Sequence, residues 1–284
     1  MLGAIIGDMV GSLYEFHPLK RKEFNIYDSR MRMTDDSLLT IDVAEVLLEH
    51  YPFKLDKQSL KEIQKDLVKE FVLTWRFNKG AGFGGMFYNW CEKAKNGQEP
   101  EPYNSYGNGS AMRISPVGWL ASSEEEVKIL TKTVTEITHN HPEGIKGAEA
   151  VAMSIFLALQ GASKEQIKER MINDYYPEIK DLDFDDLVKH YEFSEICQNS
   201  VPQAIYCFLI SNSLEDTIRN CVAIGGDCDT TGAMAGAIAE AYYQKDKVSD
   251  FEEKYLYWLI DPDVEKLVKK LHETIGSHKF EDKQ

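Results

Sequence analysis

Gly225-Gly226-Asp227-Cys228-Asp229-Thr230-Thr231-Gly232-Ala233-Met234-Ala235-Gly236-Ala237-Ile238-Ala239 carries two messages about the fold. Its front half reads as the stop of one helix, Asp216 to Ile224, at Gly225-Gly226, and the start of another after Thr231, because glycine ends helices and Asp and Thr begin them. Its back half is a helix of small side chains. Each glycine weakens a helix by about 1 kcal/mol, so repeating it implies that a second backbone comes close. A matching stretch lies at the front of the chain, where Gly3, Gly7 and Gly11 recur in four-residue steps through an apolar segment. These two segments are expected to cross at the centre of the molecule.

Outward from that pair, apolar residues recur at three- and four-residue spacing with few alternating β-branched runs, which predicts an all-α fold, a compact multi-helix bundle. Thr34, Asp35, Asp36 and Ser37 are capping and first-turn residues ahead of Leu38 to Leu48, so a helix should begin at this acidic cluster. Leu60 to Trp75 is amphipathic. Lys79 to Gly85 is too rich in glycine to be helical throughout and reads as a loop. A second glycine loop, Tyr106-Gly107-Asn108-Gly109-Ser110, leads into Ala111 to Gly118, where Pro116 should stop or kink any helix. Gly144 to Leu159 reads as a buried helix and 164–195 as an acidic, peripheral segment. Repeats, low-complexity tracts and linkers are absent from the sequence, so residues 1–284 are expected to form one domain.

The chain has 284 residues, 43% of them hydrophobic, enough for a sizeable core. A net charge of −15 argues against nucleic-acid or anionic-membrane partners, whose affinity comes from clustered Lys and Arg, and reads more simply as solubility. Five cysteines without a C-x-x-C pair suggest neither a disulfide framework nor a thiolate zinc site, and fit a reducing cytoplasm. The apolar opening from Met1 to Gly11 lacks a basic lead and carries Asp8, unlike a signal peptide or membrane span.

Adjacent ionised carboxylates repel, so Asp35-Asp36 and Asp227-x-Asp229 each need a cation or a proton. With the Thr34 and Thr230 hydroxyls beside them and no His or Cys at ligand spacing, a hard ion such as Mg²⁺, Mn²⁺ or Ca²⁺ is favoured over zinc. Either cluster alone reads as a plain helix cap. Neither matches an EF-hand loop, and D-x-D also occurs in glycosyltransferases, so composition does not choose the chemistry. Glu15 reads locally as an exposed helix-end glutamate, but crossing helices would bring it to the acidic site as a ligand or base. Asp8, in an apolar helix, needs buried partners and is expected behind the ligands. The glycine loops suit close approach of backbone N–H groups to a phosphate, with Phe83 and Tyr106 placed to stack on a base or simply to pack. Arg113 reads equally as a phosphate partner or a structural ion pair. His139 and His141, two apart, do not suit one shared metal. Ser110 and Ser115 lack a His-Asp partnership, and Cys221 and Cys228 read as buried thiols.

Gly7-Asp8-Met9-Val10-Gly11 with Glu15, then Thr34-Asp35-Asp36-Ser37, Gly107-Asn108-Gly109-Ser110-Ala111-Met112-Arg113, Thr138-His139 and Gly225 to Gly232 together resemble the ADP-ribosylglycohydrolase family, in family order across nearly the whole chain. One departure is Cys228, where the family often has Thr. The resemblance implies a binuclear magnesium centre, with manganese sometimes substituting, in a bundle of orthogonally packed helices. It makes Thr34, Asp35, Asp36, Asp227, Asp229 and Thr230 metal ligands, and Glu15 a mobile acidic residue beside them. Gly107, Asn108, Gly109, Ser110 and Met112 would wrap the pyrophosphate and distal ribose, with His139 near that ribose and Gly82 and Phe83 in a loop that closes over the substrate. The implied chemistry is hydrolysis at the anomeric carbon of the distal ribose, with Asp36, Glu15 or Asp35 handling protons. The expected partner is the ADP-ribosyl group of a modified protein and the expected state a monomer. A free ADP-ribosyl metabolite, a modified nucleic acid, or silent binding of ADP-ribose stay open.

Overall fold

The computed structural model describes residues 1–243, 253–254 and 261–281; the remainder of the expected 1–284 domain lies outside the described residues. Helices dominate, and among the described residues the only β-type pairing is one antiparallel bridge between Gly107 and Ile196. The all-α expectation is met.

Helix α1 (Leu2–Gly11) is buried along its whole length, as its apolar composition requires. It runs antiparallel to Cys228–Tyr243, a helix that is buried from Cys228 to Ala241. The contact is backbone on backbone. A Cβ added at Gly7 would sit 2.0 Å from Gly232 O, one at Gly3 2.3 Å from Gly236 O, and one at Gly11 2.3 Å from Asp229 Cα. Only hydrogen at these positions permits the crossing, which is the physical reason for glycine at four-residue steps. Glu240, buried at its far end, accepts from Gly3 N at 2.8 Å and pairs with the amino group of Met1.

The other helices wrap this pair. α2 (Asp35–Glu49) starts at the cap Thr34, whose Oγ1 accepts from Asp36 N at 3.3 Å. α3 (Lys57–Phe77) buries Ile63, Leu67, Phe71 and Trp75, the apolar stripe of an amphipathic helix. The loop after it ends where α4 (Gly85–Lys95) begins. Pro116 does not stop or kink a helix. It stands in the first turn of α5 (Ser115–Leu120), where a missing N–H and a fixed φ cost nothing. α6 (Glu124–Thr135) and the buried α7 (Pro142–Leu159) follow, the latter capped by His141 Nδ1 on Glu143 N at 3.1 Å.

The stretch 164–195 holds α8 (Lys164–Asp174) and α9 (Phe184–His190), and it is less peripheral than its composition suggests. Ile167, Met171, Tyr176 and Ile179 are buried in the common core, and the last residues of the stretch reach the central cavity. α10 (Cys197–Leu209) leads to α11 (Leu214–Ile224), which stops at Gly225 and Gly226, with φ of +71° and +72°. The next helix, α12 (Cys228–Tyr243), opens at Cys228 rather than after Thr231, so Asp229 and Thr230 lie in its first turn. No helix among the described residues is long and apolar enough to cross a membrane.

Candidate functional site

Because α1 and α12 touch along their backbones, the start of α12, the end of α1 and the start of α2 meet at one place. A cavity of ≈650 Å³ opens there. Thr34, Asp35, Asp36, Asp227, Asp229 and Thr230 all line it, as does Glu15 from the segment after α1. Two acidic clusters nearly 200 residues apart in sequence thus share one wall.

Two overlapping carboxylate groups have oxygens close enough to grip a common ion: Asp8, Asp36 and Asp229, and Glu15, Asp227 and Asp229, each set within 4.8 Å. Their hydrogen bonding differs. Asp8 is saturated, accepting from Thr34 N at 2.9 Å, Thr34 Oγ1 at 2.7 Å, Ser37 N at 3.1 Å and Ser37 Oγ, so it serves as an external cap on α2. Asp36 has one oxygen near Thr34 Oγ1 at 3.2 Å and Thr230 Oγ1 at 3.3 Å, while its buried Oδ1 has no partner. A buried, unpartnered carboxylate oxygen costs several kcal/mol unless a proton or cation meets it.

Electrostatics give the same picture. Burial, with Asp8 beside them, pushes Asp35 up to about 7 and Asp36 well above the usual carboxylate range. Asp229 is pushed far up by burial and Asp36, Asp227 is raised by burial, and Glu15 is raised to about 7 by burial and Asp227. Crowded carboxylates of this kind hold protons or hard cations. The donor set is oxygen only, with two hydroxyls interleaved, and it fits divalent ions of the Mg²⁺ class.

Loops supply the rest of the wall. Gly82, at φ +111°, lies over Asp35: a Cβ there would be 2.9 Å from Asp35 Oδ1, and Asp35 N donates to Ala81 O at 3.0 Å. Gly107, Asn108, Gly109, Met112 and His139 line the cavity. Asn108 ties this loop to the acidic half, its Nδ2 donating to Asp227 Oδ2 at 2.6 Å and its N–H to Glu195 O at 2.8 Å.

Two expected substrate contacts are placed elsewhere. Ser110 is fully buried behind the loop, donating to Gly144 O at 2.8 Å, because the 3₁₀ turn over Asn108–Ser110 rotates it inward. Phe83 turns off the wall and stacks on Phe87 at 5.5 Å, and Phe87 faces the cavity in its place. Cys228 points at Gly11 O, away from the site. Sequence reading missed Arg32, Asn104, Phe193 and Glu195, all on the cavity wall. Phe16 and Phe193, both exposed, stack at 5.9 Å at its edge. Arg32 and Asn104 stand two residues before the Thr34 cluster and the Tyr106 loop, whereas no local signal marks Phe193 and Glu195, which only the fold brings to the mouth of the site.

A family model described as ADP-ribosylglycohydrolase matches residues 1–279. The chain is 26% identical to ADP-ribosylhydrolase ARH3 of Mus musculus, over 88% of this chain and 84% of that one. It is 27% identical to ADP-ribosylhydrolase ARH3 of Homo sapiens, over 88% and 86% respectively. ADP-ribosylarginine hydrolase Tri1 of Pseudomonas putida is 24% identical over 86% of this chain and 69% of its own length. A solved structure titled "ADP-ribosylglycohydrolase-related protein complex" shares the fold, with a TM-score of 0.68, 22% identity, and coverage of 96% of this chain and 97% of that one.

Proposed function

Since the chain belongs to the ADP-ribosylglycohydrolase family, we propose that it hydrolyses the bond between the distal ribose of an ADP-ribosyl group and its acceptor, in one domain acting as a monomer with Mg²⁺ as the preferred ion. One observation carries the metal dependence: the buried Oδ1 of Asp36 has no partner, in a wall where Asp227 and Asp229 arrive from the far end of the chain.

Thr34, Asp35, Asp36, Asp227, Asp229 and Thr230 would hold two ions. Mg²⁺, or Mn²⁺ in its place, supplies Lewis-acid polarisation of a water and a fixed seat for ribose hydroxyls. The chain's own residues do the rest. The Gly107-to-Gly109 turn, with Met112 behind it, has no side chain at Gly107 or Gly109 and so lets the pyrophosphate approach the backbone closely. Gly82 leaves room for the ligand above Asp35. In the reaction a water oxygen bonds to the anomeric carbon as the bond to the acceptor breaks, and a proton passes from the water to the leaving group. Glu15 is placed to carry that proton, because it is half-buried at the cavity edge while Asp36 is wedged between two threonines. Asp35, at the other edge, assists in orienting the water.

The acceptor is a modified protein side chain in this reading. The names of the relatives fit ADP-ribosyl hydrolysis, and the Pseudomonas protein's name specifies arginine. Five buried free thiols support a cytoplasmic location. The test is release of ADP-ribose from Arg-linked and Ser-linked targets, with Mg²⁺ and with chelator. Metal-dependent release from one of them is expected. Retained ADP-ribose binding with no release from any acceptor would overturn the enzyme in favour of a binding module.

A further inference from the structure

Arg113 is fully buried, its guanidinium 4.7 Å above the Phe71 ring, and its Nε has no hydrogen-bond partner. Among the described residues its one hydrogen bond runs from Nη2 to Thr138 Oγ1 at 2.6 Å. The same oxygen lies 2.8 Å from His139 Nδ1. We propose that Arg113 and Thr138 form a positioning relay that fixes His139 in the tautomer carrying its proton on Nε2, a hydrogen-bond donor aimed into the cavity.

The assignment follows from donor and acceptor counts. A guanidinium only donates, so Thr138 Oγ1 accepts from Arg113, leaving one lone pair and one proton. That proton has two destinations within reach. Thr135 O is 3.3 Å away and already accepts from Thr138 N at 3.1 Å and His139 N at 2.8 Å. His139 Nδ1 is nearer and otherwise unpartnered. The Tyr103 hydroxyl, close to the same oxygen, lacks hydrogen-bond geometry to it. Accepting from a cation also makes a hydroxyl the better donor, which favours donation to Nδ1. Nδ1 is therefore the acceptor and Nε2 bears the hydrogen.

Nε2 points between the glycines of the substrate loop. A Cβ would lie 3.3 Å from it at Gly109 and 3.6 Å at Gly107, so a side chain at either position would cover it. His139 is held neutral at physiological pH by burial and by the nearby Arg113 charge, both of which disfavour imidazolium. A neutral Nε2–H donor suits an oxygen acceptor on the ligand and excludes His139 as the base. The role of that donor in catalysis rests on the proposed hydrolase reading; the tautomer does not.

The test uses the full-length protein labelled with ¹⁵N-histidine. Long-range proton–nitrogen correlation is expected to show one neutral histidine with an unprotonated Nδ1 and a protonated Nε2, unchanged from about pH 6 to 8, and lost in His139→Asn. Thr138→Val should lose that fixed pattern and Thr138→Ser keep it. With an ADP-ribosylated substrate, Thr138→Val should raise KM about tenfold with kcat within about twofold, and Thr138→Ser should restore KM. A wild-type spectrum with the proton on Nδ1, or a Thr138→Val protein with unchanged tautomer and KM, would overturn the relay. If Thr138→Val fails to fold, the wild-type spectrum decides alone. An Nε2–H tautomer in a protein that neither binds nor cleaves ADP-ribosyl compounds would leave the relay standing and remove the hydrolase reading.

Discussion

At the start of α2 the helix N–H groups of Asp36 and Ser37 are met by the Thr34 hydroxyl and the Asp8 carboxylate, whereas at the start of α12 the first-turn Asp229 takes one itself, its Oδ1 accepting from Thr230 N at 3.0 Å. The two starts look alike in sequence, and each brings two aspartates to the cavity. In the first, Asp8 and Thr34 take the helix N–H groups and Asp36 keeps one oxygen without a partner. In the second, Asp227 is held by Asn108 and Asp229 by its neighbour, so its oxygens serve the fold as well as the site. On the proposed reading, one half would offer a cation a free oxygen and the other would offer oxygens already engaged.

Removing a carboxylate from either half should have the largest effect. Asp36→Ala and Asp229→Ala are each expected to lower ADP-ribose release by about a thousandfold or more while circular dichroism shows helix content unchanged. Equal activity in both variants would rule out the proposed site. The halves should then separate. Asp8→Ala leaves the N–H groups of Thr34 and Ser37 without their acceptor and is expected to cost about 3 kcal/mol in urea unfolding, with the loss centred on α2 by hydrogen exchange. An evenly spread loss would break the contrast.

Mg²⁺ at a hundred times its dissociation constant should stabilise the protein by about 2.7 kcal/mol, read as a rise in Tm that chelator reverses and Asp229→Ala abolishes. Gly226→Ala acts on the second half alone. At φ +72°, with a Cβ 2.6 Å from the Tyr191 ring, it should cost about 2 kcal/mol and leave exchange in α2 untouched. The smallest effect concerns Asp42, further along α2, whose Oδ1 accepts from Thr74 at 2.7 Å while Oδ2 has no partner. Burial raises it to about 7. The folded protein keeps this proton between about pH 4 and 7 whereas the unfolded chain releases it, so the stabilisation present below about pH 4 is lost as pH rises to 7. Asp42→Asn, neutral throughout, should gain stability relative to wild type from pH 5 to pH 8 by about 1 kcal/mol or more in urea midpoints.

What was legible in the sequence was local. Thr34-Asp35-Asp36 announces a helix start because caps are read from a few residues, and the four-residue glycine steps announce the crossing because no other use of three glycines in an apolar helix is economical. Which face a residue shows was not legible. Ser110 and Phe83 lie in the expected loops, yet a 3₁₀ turn buries one and an aromatic stack withdraws the other. Pro116 has the power to end a helix, yet its place in the first turn makes it a beginning. Phe193 and Glu195 reach the cavity because Gly107 bridges to Ile196, a pairing of distant residues that no window of sequence contains.

The glycine crossing also sets a clock. Cys228 meets Gly11 across 217 residues, and Glu240 meets Met1 across 239. Contacts of such separation form late, since the entropy of closing the loop must be met before they contribute. The first helix and the Thr34 cluster are made long before Asp227 and Asp229, the residues they face in the folded protein. On the proposed reading, cation binding would report on the finished fold, and a chain interrupted before Asp227 is expected to bind none, because both candidate ligand groups need Asp229.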